Sequence, residues 1–212
     1  MTDETTASRS ELTRRRLLDA ALEAFAERGF HGTTTRDIAS AAGMSPAAVY
    51  VHYRSKEDLL FELCRTGHLA TIATVERADE PGAEPATRLS SVIRAFAERH
   101  AEGHTSARIV NYELAALAPD HRSEIVELRR DITRRVRAIV DAGVDAGAFD
   151  VDDPRTTTNS LLSMGIDIAR WYSDRGPLDP QQIGDFYASL ALRIVGAAES
   201  YPPKSTNDQS NK

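Results

Sequence analysis

The chain holds a single cysteine, Cys64, so no disulfide can form within it, and a reducing cytoplasm is its expected home. No stretch of eighteen or more apolar residues occurs, which excludes a membrane-spanning helix, and no membrane partner is expected. The opening MTDETTASRS lacks the apolar core of a secretory signal and reads as a disordered arm. Runs that alternate apolar and polar residues between turn signals are missing, so no sheet is expected. There is no glycine-rich phosphate loop, no serine nucleophile elbow and no cysteine–histidine pair near a base, which argues against an enzyme and against a bound cofactor. A basic excess is also lacking: the net charge of −6 excludes a protein that coats nucleic acid indiscriminately. It leaves room for selective binding, which needs a local basic surface only. Residues 1–60 carry eight Lys and Arg against nine Asp and Glu. Any DNA contact would therefore rest on a few focused cations, among them Arg9, Arg14, Arg15, Arg16, Arg36, Arg54 and Lys56.

What is present is helix. A chain of 212 residues with 41% hydrophobic and 27% charged residues suits a small domain followed by a larger one. Leu18, Ala21, Leu22, Phe25 and Ala26 form an apolar stripe at helical spacing. Further helices are expected at about Lys56–Asp79, Pro85–Glu102, Thr105–Ala118, Pro119–Ala146, Pro154–Asp174 and Asp179–Ser200, punctuated by Pro81-Gly82, Gly103, Gly147 and Pro154. The tail from Tyr201 is polar and reads as disordered.

The most informative stretch is 33–56, TTTRDIASAAGMSPAAVYVHYRSK. Thr34 and Asp37 have capping-box spacing, Gly43 supplies a helix stop, and Ser45-Pro46 starts another helix. Ser55 with Asp58 repeats the capping box and opens a third. Two helices of about two turns joined through a glycine make a helix-turn-helix, whose second helix can enter the major groove.

This stretch resembles the DNA-binding domain of the TetR family of bacterial repressors. The matching elements are Phe25-Ala26-Glu27-Arg28-Gly29-Phe30, Thr34-Thr35-Arg36-Asp37-Ile38-Ala39, Ala42-Gly43-Met44-Ser45 and Tyr50-Val51-His52-Tyr53-Arg54-Ser55-Lys56. The resemblance implies an all-α, nine-helix chain: a helix-turn-helix domain with its arm at 1–55, a six-helix ligand-binding and dimerisation domain at 56–200, and a tail at 201–212. It implies DNA contacts by Thr34, Thr35, Arg36, Ser45, Pro46, Ala47, Ala48, Tyr50, His52 and Lys56, with Val49 and Tyr53 turned inward. Ala47 and Ala48 can offer only apolar contact to thymine methyls, whereas the Arg36 fork can meet phosphate or a guanine edge.

Parts of the second half are similar to a subgroup of actinobacterial repressors that sense acyl-CoA thioesters. These parts are Asn111-Tyr112-Glu113-Leu114, His121-Arg122, Leu128-Arg129-Arg130, Arg170-Trp171-Tyr172, Gly176-Pro177-Leu178 and the helix with Gln182-Ile183, Tyr187 and Leu190. Leu162 and Ile166 depart from that subgroup, whose members carry polar or aromatic residues there. Phe96, His100, Asn111, Tyr112, Met164, Ile168, Arg170 and Trp171 are the candidate ligand contacts, each of which could equally be ordinary packing. Arg170 could meet a carboxylate, thioester oxygen or phosphate, or pair with Asp167 or Asp174. Arg130, Arg134 and Arg137 share a helix face that reads either as solvated surface or as a phosphate cradle. His100 and His104 have metal-pair spacing but no evident third ligand, so no metal is expected.

Ile183, Phe186, Tyr187, Leu190, Ala191, Ile194 and Val195 form a stripe wider than one neighbouring helix covers. With Gly184, Ala188, Ala191 and Gly196 as close-approach points, the last two helices are expected to pair across a two-fold axis, the alternative being that the stripe is the chain's own core. The reading is a homodimeric repressor of a palindromic operator, released by a hydrophobic small-molecule inducer. The alternative is a constitutive DNA-binding protein whose second half only dimerises.

Overall fold

The computed structural model describes residues 3–197, with side chains from residue 9 onward. The described chain is all helix: α1 (Asp3–Gly32), α2 (Thr35–Ala41), α3 (Pro46–His52), α4 (Lys56–Ala78), α5 (Pro85–Glu102), α6 (His104–Tyr112), α7 (Pro119–Asp145), α8 (Pro154–Trp171) and α9 (Pro180–Ile194). A single 3₁₀ turn at Leu114–Ala116 joins α6 to α7. The helix starts follow the sequence closely, because proline stands in the first turn of α3, α5, α7, α8 and α9, where a missing amide costs nothing.

Several ends depart from expectation. The backbone is helical from Asp3, where an arm was expected, since no proline or glycine interrupts the chain before the kink at Gly29. The helix after Gly103 stops at Tyr112, well short of Ala118. Pro119 holds Ala118 extended (φ −57°, ψ 151°), and the Ala118 amide goes to Glu57 Oε1 instead. α8 ends at Trp171 because Tyr172, extended and buried, packs with Ala97, Ala101, Ile168 and Ile183. α9 ends at Ile194, short of Ser200. Gly196 adopts φ +61°, and its amide and that of Ala197 cap the Arg193 and Leu192 carbonyls. The tail from 201 lies outside the described residues.

Two large apolar clusters hold the helices together. The first joins Leu17, Phe25, Ile38 and Val49 of α1–α3 to Leu59, Leu60 and Cys64 of α4, Ile109 of α6 and Ile125 of α7. The second packs α4, α5, α7, α8 and α9 through Val75, Val92, Phe96, Ile139, Leu161 and Val195. α4 runs through both, so its first turns belong to the same core as the helix-turn-helix. α5 and α9 pack most extensively of all. Buried Gly184 and Ala188 of α9 serve that contact: a Cβ at Gly184 would fall 2.5 Å from Glu98 Cγ of α5. Of the close-approach points assigned to a second copy, Gly184 therefore faces α5 of the same chain, Gly196 faces Asp150, and Ala188 and Ala191 are buried within the chain.

Candidate DNA-binding face and ligand cavity

Local hydrogen bonds build the helix-turn-helix. Thr34 and Asp37 complete their capping box: the Asp37 amide donates to Thr34 Oγ1 at 3.2 Å, and the Thr34 amide donates to Asp37 Oδ2 at 2.8 Å. The Thr34 hydroxyl, donating to Asp37 Oδ2 at 2.6 Å, and the Thr34 amide, helped by the Arg28 and Arg36 charges, hold the Asp37 carboxyl below the usual carboxylate range. Gly43, at φ +66°, reverses the chain, and Arg16 donates to the freed Ala42 carbonyl at 2.9 Å. Ser45 Oγ then accepts from the Ala48 amide and starts α3.

On α3, Val49 and Tyr53 turn inward, while Pro46, Ala47, Tyr50 and Val51 turn out. Ser45 and Arg36 are exposed beside them, Thr34 is exposed at the α2 start, and Thr35, Ala48 and His52 are half-buried. Val51, 79% exposed, belongs to this face but was not singled out from the sequence. The signal was available: with Val49 inside, a residue two positions on lies about 200° round the helix. Arg36 and Arg54 make no side-chain hydrogen bond or ion pair among the described residues. Lys56 is engaged instead, donating to the Phe30 carbonyl at 2.8 Å and the Thr33 carbonyl at 2.9 Å, over the Phe30 ring. Its neighbour Glu57 ties α4 to α7 by accepting from the Ala118 amide and from His121 at 3.0 Å, while His121 stacks on Phe61. The first turn of α4 is thus fastened to α1 on one side and α7 on the other.

Farther along α4, His68 and Thr71 reach a cavity of about 160 Å³. Phe96 and His100 of α5, Val110 and Asn111 of α6, Arg129, Ile132 and Thr133 of α7, and Asn159, Leu162, Ser163 and Ile166 of α8 complete it. Of the residues expected here, Phe96, His100 and Asn111 do line it, and so do Leu162 and Ile166. Tyr112 and Met164 border a shallower groove next to it, with Arg129, Asp167 and Tyr187. Ile168 is sealed in the core, 0% exposed. Arg170 lies one turn past Ile166 at the surface, 3.4 Å from Asp167 and over the Tyr112 ring, and Trp171 is half exposed. The expected cation is supplied by Arg129, which donates to Asn111 Oδ1 at 2.8 Å and has no carboxylate partner among the described residues. Burial pulls its pKa down.

The three arginines read as one face of α7 form ordinary surface pairs: Arg130 with Glu127, Arg134 with Asp131, and Arg137 with Asp141. His100 and His104 stand on different helices, because the chain breaks at Gly103. His68, Thr71 and Arg129 were missed from the sequence. The readable trace of the first two is a pair of polar side chains inside the apolar stripe Leu60, Cys64, Ile72 and Val75. Cys64 itself packs as a buried apolar filler, and burial pushes its thiol up to about 12. Among the described residues no helix is long and apolar enough to cross a membrane.

Comparison with known proteins gives this architecture a family. Residues 17–63 match the model for bacterial regulatory proteins of the tetR family, and residues 82–195, more than half the chain, match the tetracyclin repressor-like C-terminal domain. The HTH-type transcriptional repressor KstR2 of Mycobacterium tuberculosis is 32% identical over 178 residues, spanning 83% of this chain and 89% of the relative. A tetR-family regulatory protein from Rhodococcus RHA1 is 40% identical, with a TM-score of 0.85 over 88% of this chain and 98% of that one. AibR, solved with isovaleryl coenzyme A and operator DNA, shares the fold at 24% identity, with a TM-score of 0.78 over 88% of this chain and 100% of the other. These relatives are regulators rather than enzymes. Capped helix-turn-helix, second helical domain and end-to-end likeness agree, and the chain belongs to the TetR family of DNA-binding transcriptional repressors.

Proposed function

We infer that this protein is a homodimeric repressor that grips a palindromic operator through α2 and α3 and releases it when a small hydrophobic ligand enters the α4–α8 cavity. One observation carries the inference: α4 holds Lys56 and Glu57 at the helix-turn-helix end and His68 and Thr71 at the cavity. The twelve residues from Lys56 to His68 span about 18 Å of one helix. A ligand that shifts His68 must also shift the fastenings of α1 and α7, and so the spacing of two recognition helices in a dimer. For hundredfold release the ligand must favour the released conformation by about 2.7 kcal/mol, an ordinary coupling.

On the operator, Arg36 and Ser45 are the polar readers, Pro46, Ala47, Ala48 and Val51 the apolar contacts, and Thr34, Thr35, Tyr50 and His52 the backbone contacts. Lys56 acts by fixing α1 to α4 and keeping a positive charge behind that face. The dimer forms through α8 and α9, whose exposed Phe186 and Ile194 and half-buried Leu190 form an apolar face that the chain itself leaves uncovered. Residues 1–55 thus serve DNA and 56–200 serve sensing and pairing, in the cytoplasm where the operator is.

The cavity volume is close to the roughly 150 Å³ that accepts a benzene ring, so it suits a short acyl chain or a single ring. Arg129 at its edge suits a carboxylate or thioester oxygen. A coenzyme A moiety would stay outside, near Arg130, Arg134 and Arg155, which border a groove sharing Arg129 with the cavity. The isovaleryl coenzyme A bound by AibR is a precedent for a short acyl group on this fold. Fluorescence anisotropy with DNA from upstream of the coding region, against a scrambled duplex at the same salt, tests the first half of the inference. Adding short-chain acyl-CoAs to the complex tests the second. Selective binding reversed by one acyl length is the expected result; equal weak binding to both duplexes rejects the operator assignment.

A further inference from the structure

The floor of the cavity carries two imidazoles with a fixed polarity. Nδ1 of His68 lies 2.7 Å from the Cys64 carbonyl, and Nδ1 of His100 lies 2.7 Å from the Phe96 carbonyl. A carbonyl can only accept, so each Nδ1 must carry the proton, and a neutral imidazole has only one. Each Nε2 is therefore a bare lone pair. Nε2 of His68 is buried and has no partner among the described residues, in a side chain only 3% exposed; His100 is 4% exposed. Protonation would turn both nitrogens into donors, but burial, with repulsion from Arg129 at His68 and from Arg99 and Arg129 at His100, pushes both histidines down to about 4. Near neutral pH they stay acceptors.

The lining offers little to satisfy them. The Thr71 hydroxyl donates to the Gly67 carbonyl and the Thr133 hydroxyl to the Arg129 carbonyl, while the Asn111 amide donates to the Ala107 carbonyl. A metal ion is poorly suited, since Arg129 places a positive charge near both rings and no carboxylate lines the cavity. Arg129 itself is a half-buried cation without a carboxylate partner among the described residues, which calls for an anion or a polarised carbonyl. Between these polar ends lie Phe96, Val110, Ile132 and Leu162.

We propose that the cavity selects a ligand with a hydrogen-bond donor at its buried end: a small hydroxylated acid or its thioester, with its hydroxyl on His68 or His100 and its carboxyl end on Arg129. The proposal rests on reading this cavity as the ligand site and adds which functional group the site demands. A ligand lacking the donor would dehydrate or leave unpaired a buried acceptor, which is costlier than a hydrogen bond never offered. The donor should therefore be worth about tenfold in affinity.

Matched probes separate the two ideas. Calorimetry on the full chain would compare 4-hydroxybenzoate with benzoate and 4-methoxybenzoate, and 6-hydroxyhexanoate with hexanoate. Imidazole ¹⁵N spectra would be recorded alongside. The expected result is that each hydroxy acid binds about tenfold more tightly than its parent and the methyl ether most weakly. The Nε2 resonance of His68 or His100 should move toward the hydrogen-bonded range, and the preference should vanish in His68→Phe or His100→Phe. Binding of all probes with no preference would overturn the donor proposal while leaving the cavity as the site. Histidine resonances that respond to Zn²⁺ but to no hydroxy acid would overturn it in favour of a metal. Release from operator by an acyl-CoA with no change at either histidine would keep the repressor reading but overturn the donor proposal and place the ligand outside this cavity.

Discussion

The DNA-facing quarter of the chain and the cavity region solve opposite problems with the same residue types. In the first, polar side chains answer backbone groups a few residues away: Thr34 with Asp37, Ser45 with Ala48, Ser55 with Asp58. In the second, polar groups arrive from five helices, meet across long stretches of sequence, and leave a buried Nε2 of His68 and the Arg129 guanidinium short of protein partners. A surface that must fit DNA without reorganising is best closed by its own caps. A site that must report a ligand keeps polar groups that only the ligand answers, and α4, with the near ends of α6 and α7, belongs to both regions.

The largest expected effect tests whether the two regions fold as one unit. Leu60 is fully buried in the cluster that joins α1–α3 to α4, α6 and α7, so Leu60→Ala should cost about 2–5 kcal/mol. Urea unfolding followed by far-UV circular dichroism should show one transition moved to lower midpoint. Two separated transitions would mean that the helix-turn-helix is an independent domain.

Next is acidification, which should bear on the cavity region. The folded pKa of His68 and of His100 is about 4, below the ordinary 6.5, so between these values the unfolded chain binds protons that the native state refuses. Their contribution to stability is complete above pH 6.5 and is lost as pH falls toward 4, by at most about 1.4 kcal/mol per pH unit for each histidine. Denaturant midpoints measured from pH 7 to 5 should fall, and His100→Phe should shrink the slope. A slope unchanged by that substitution would place the sensitivity elsewhere.

Arg36→Ala should separate the regions in the other direction. A lost base or phosphate contact is worth about 1–3 kcal/mol per site, so operator affinity should drop at least several-fold, while an exposed side chain leaves the melting temperature within about a degree or two. Equal loss on operator and scrambled DNA would assign Arg36 to phosphate rather than to a base. The smallest effect, about 1 kcal/mol, belongs to Ser45→Ala, which removes the α3 cap. A melting temperature unchanged by it would show that packing of Val49, rather than its cap, holds the recognition helix.

How legible each region was follows from the range of its interactions. The caps at Thr34, Ser45 and Ser55 and the prolines opening five helices are local signals, and each helix they open starts within a residue of where the spacing put it. Helix ends were read less well where a distant group intervened: Glu57 takes the Ala118 amide, and Gly196 stops α9. The face of α3 was read except for Val51. The cavity was read least well. Arg170 and Trp171 drew attention as an unusual pair of neighbours in sequence, yet they lie a turn beyond the lining, while Arg129 was hidden in a run of arginines that looks uniform from one helix alone.

By itself the sequence determined that the chain is helical, where nearly every helix begins, and that residues 33–56 form a helix-turn-helix, because caps, prolines and apolar periodicity act within a turn or two. Only the tertiary structure decided which arginine turns inward, which face of α9 its own chain covers, and that His68 and His100 present bare nitrogens to one cavity. Burial and the pairing of polar groups depend on which helices meet, and no local spacing records that.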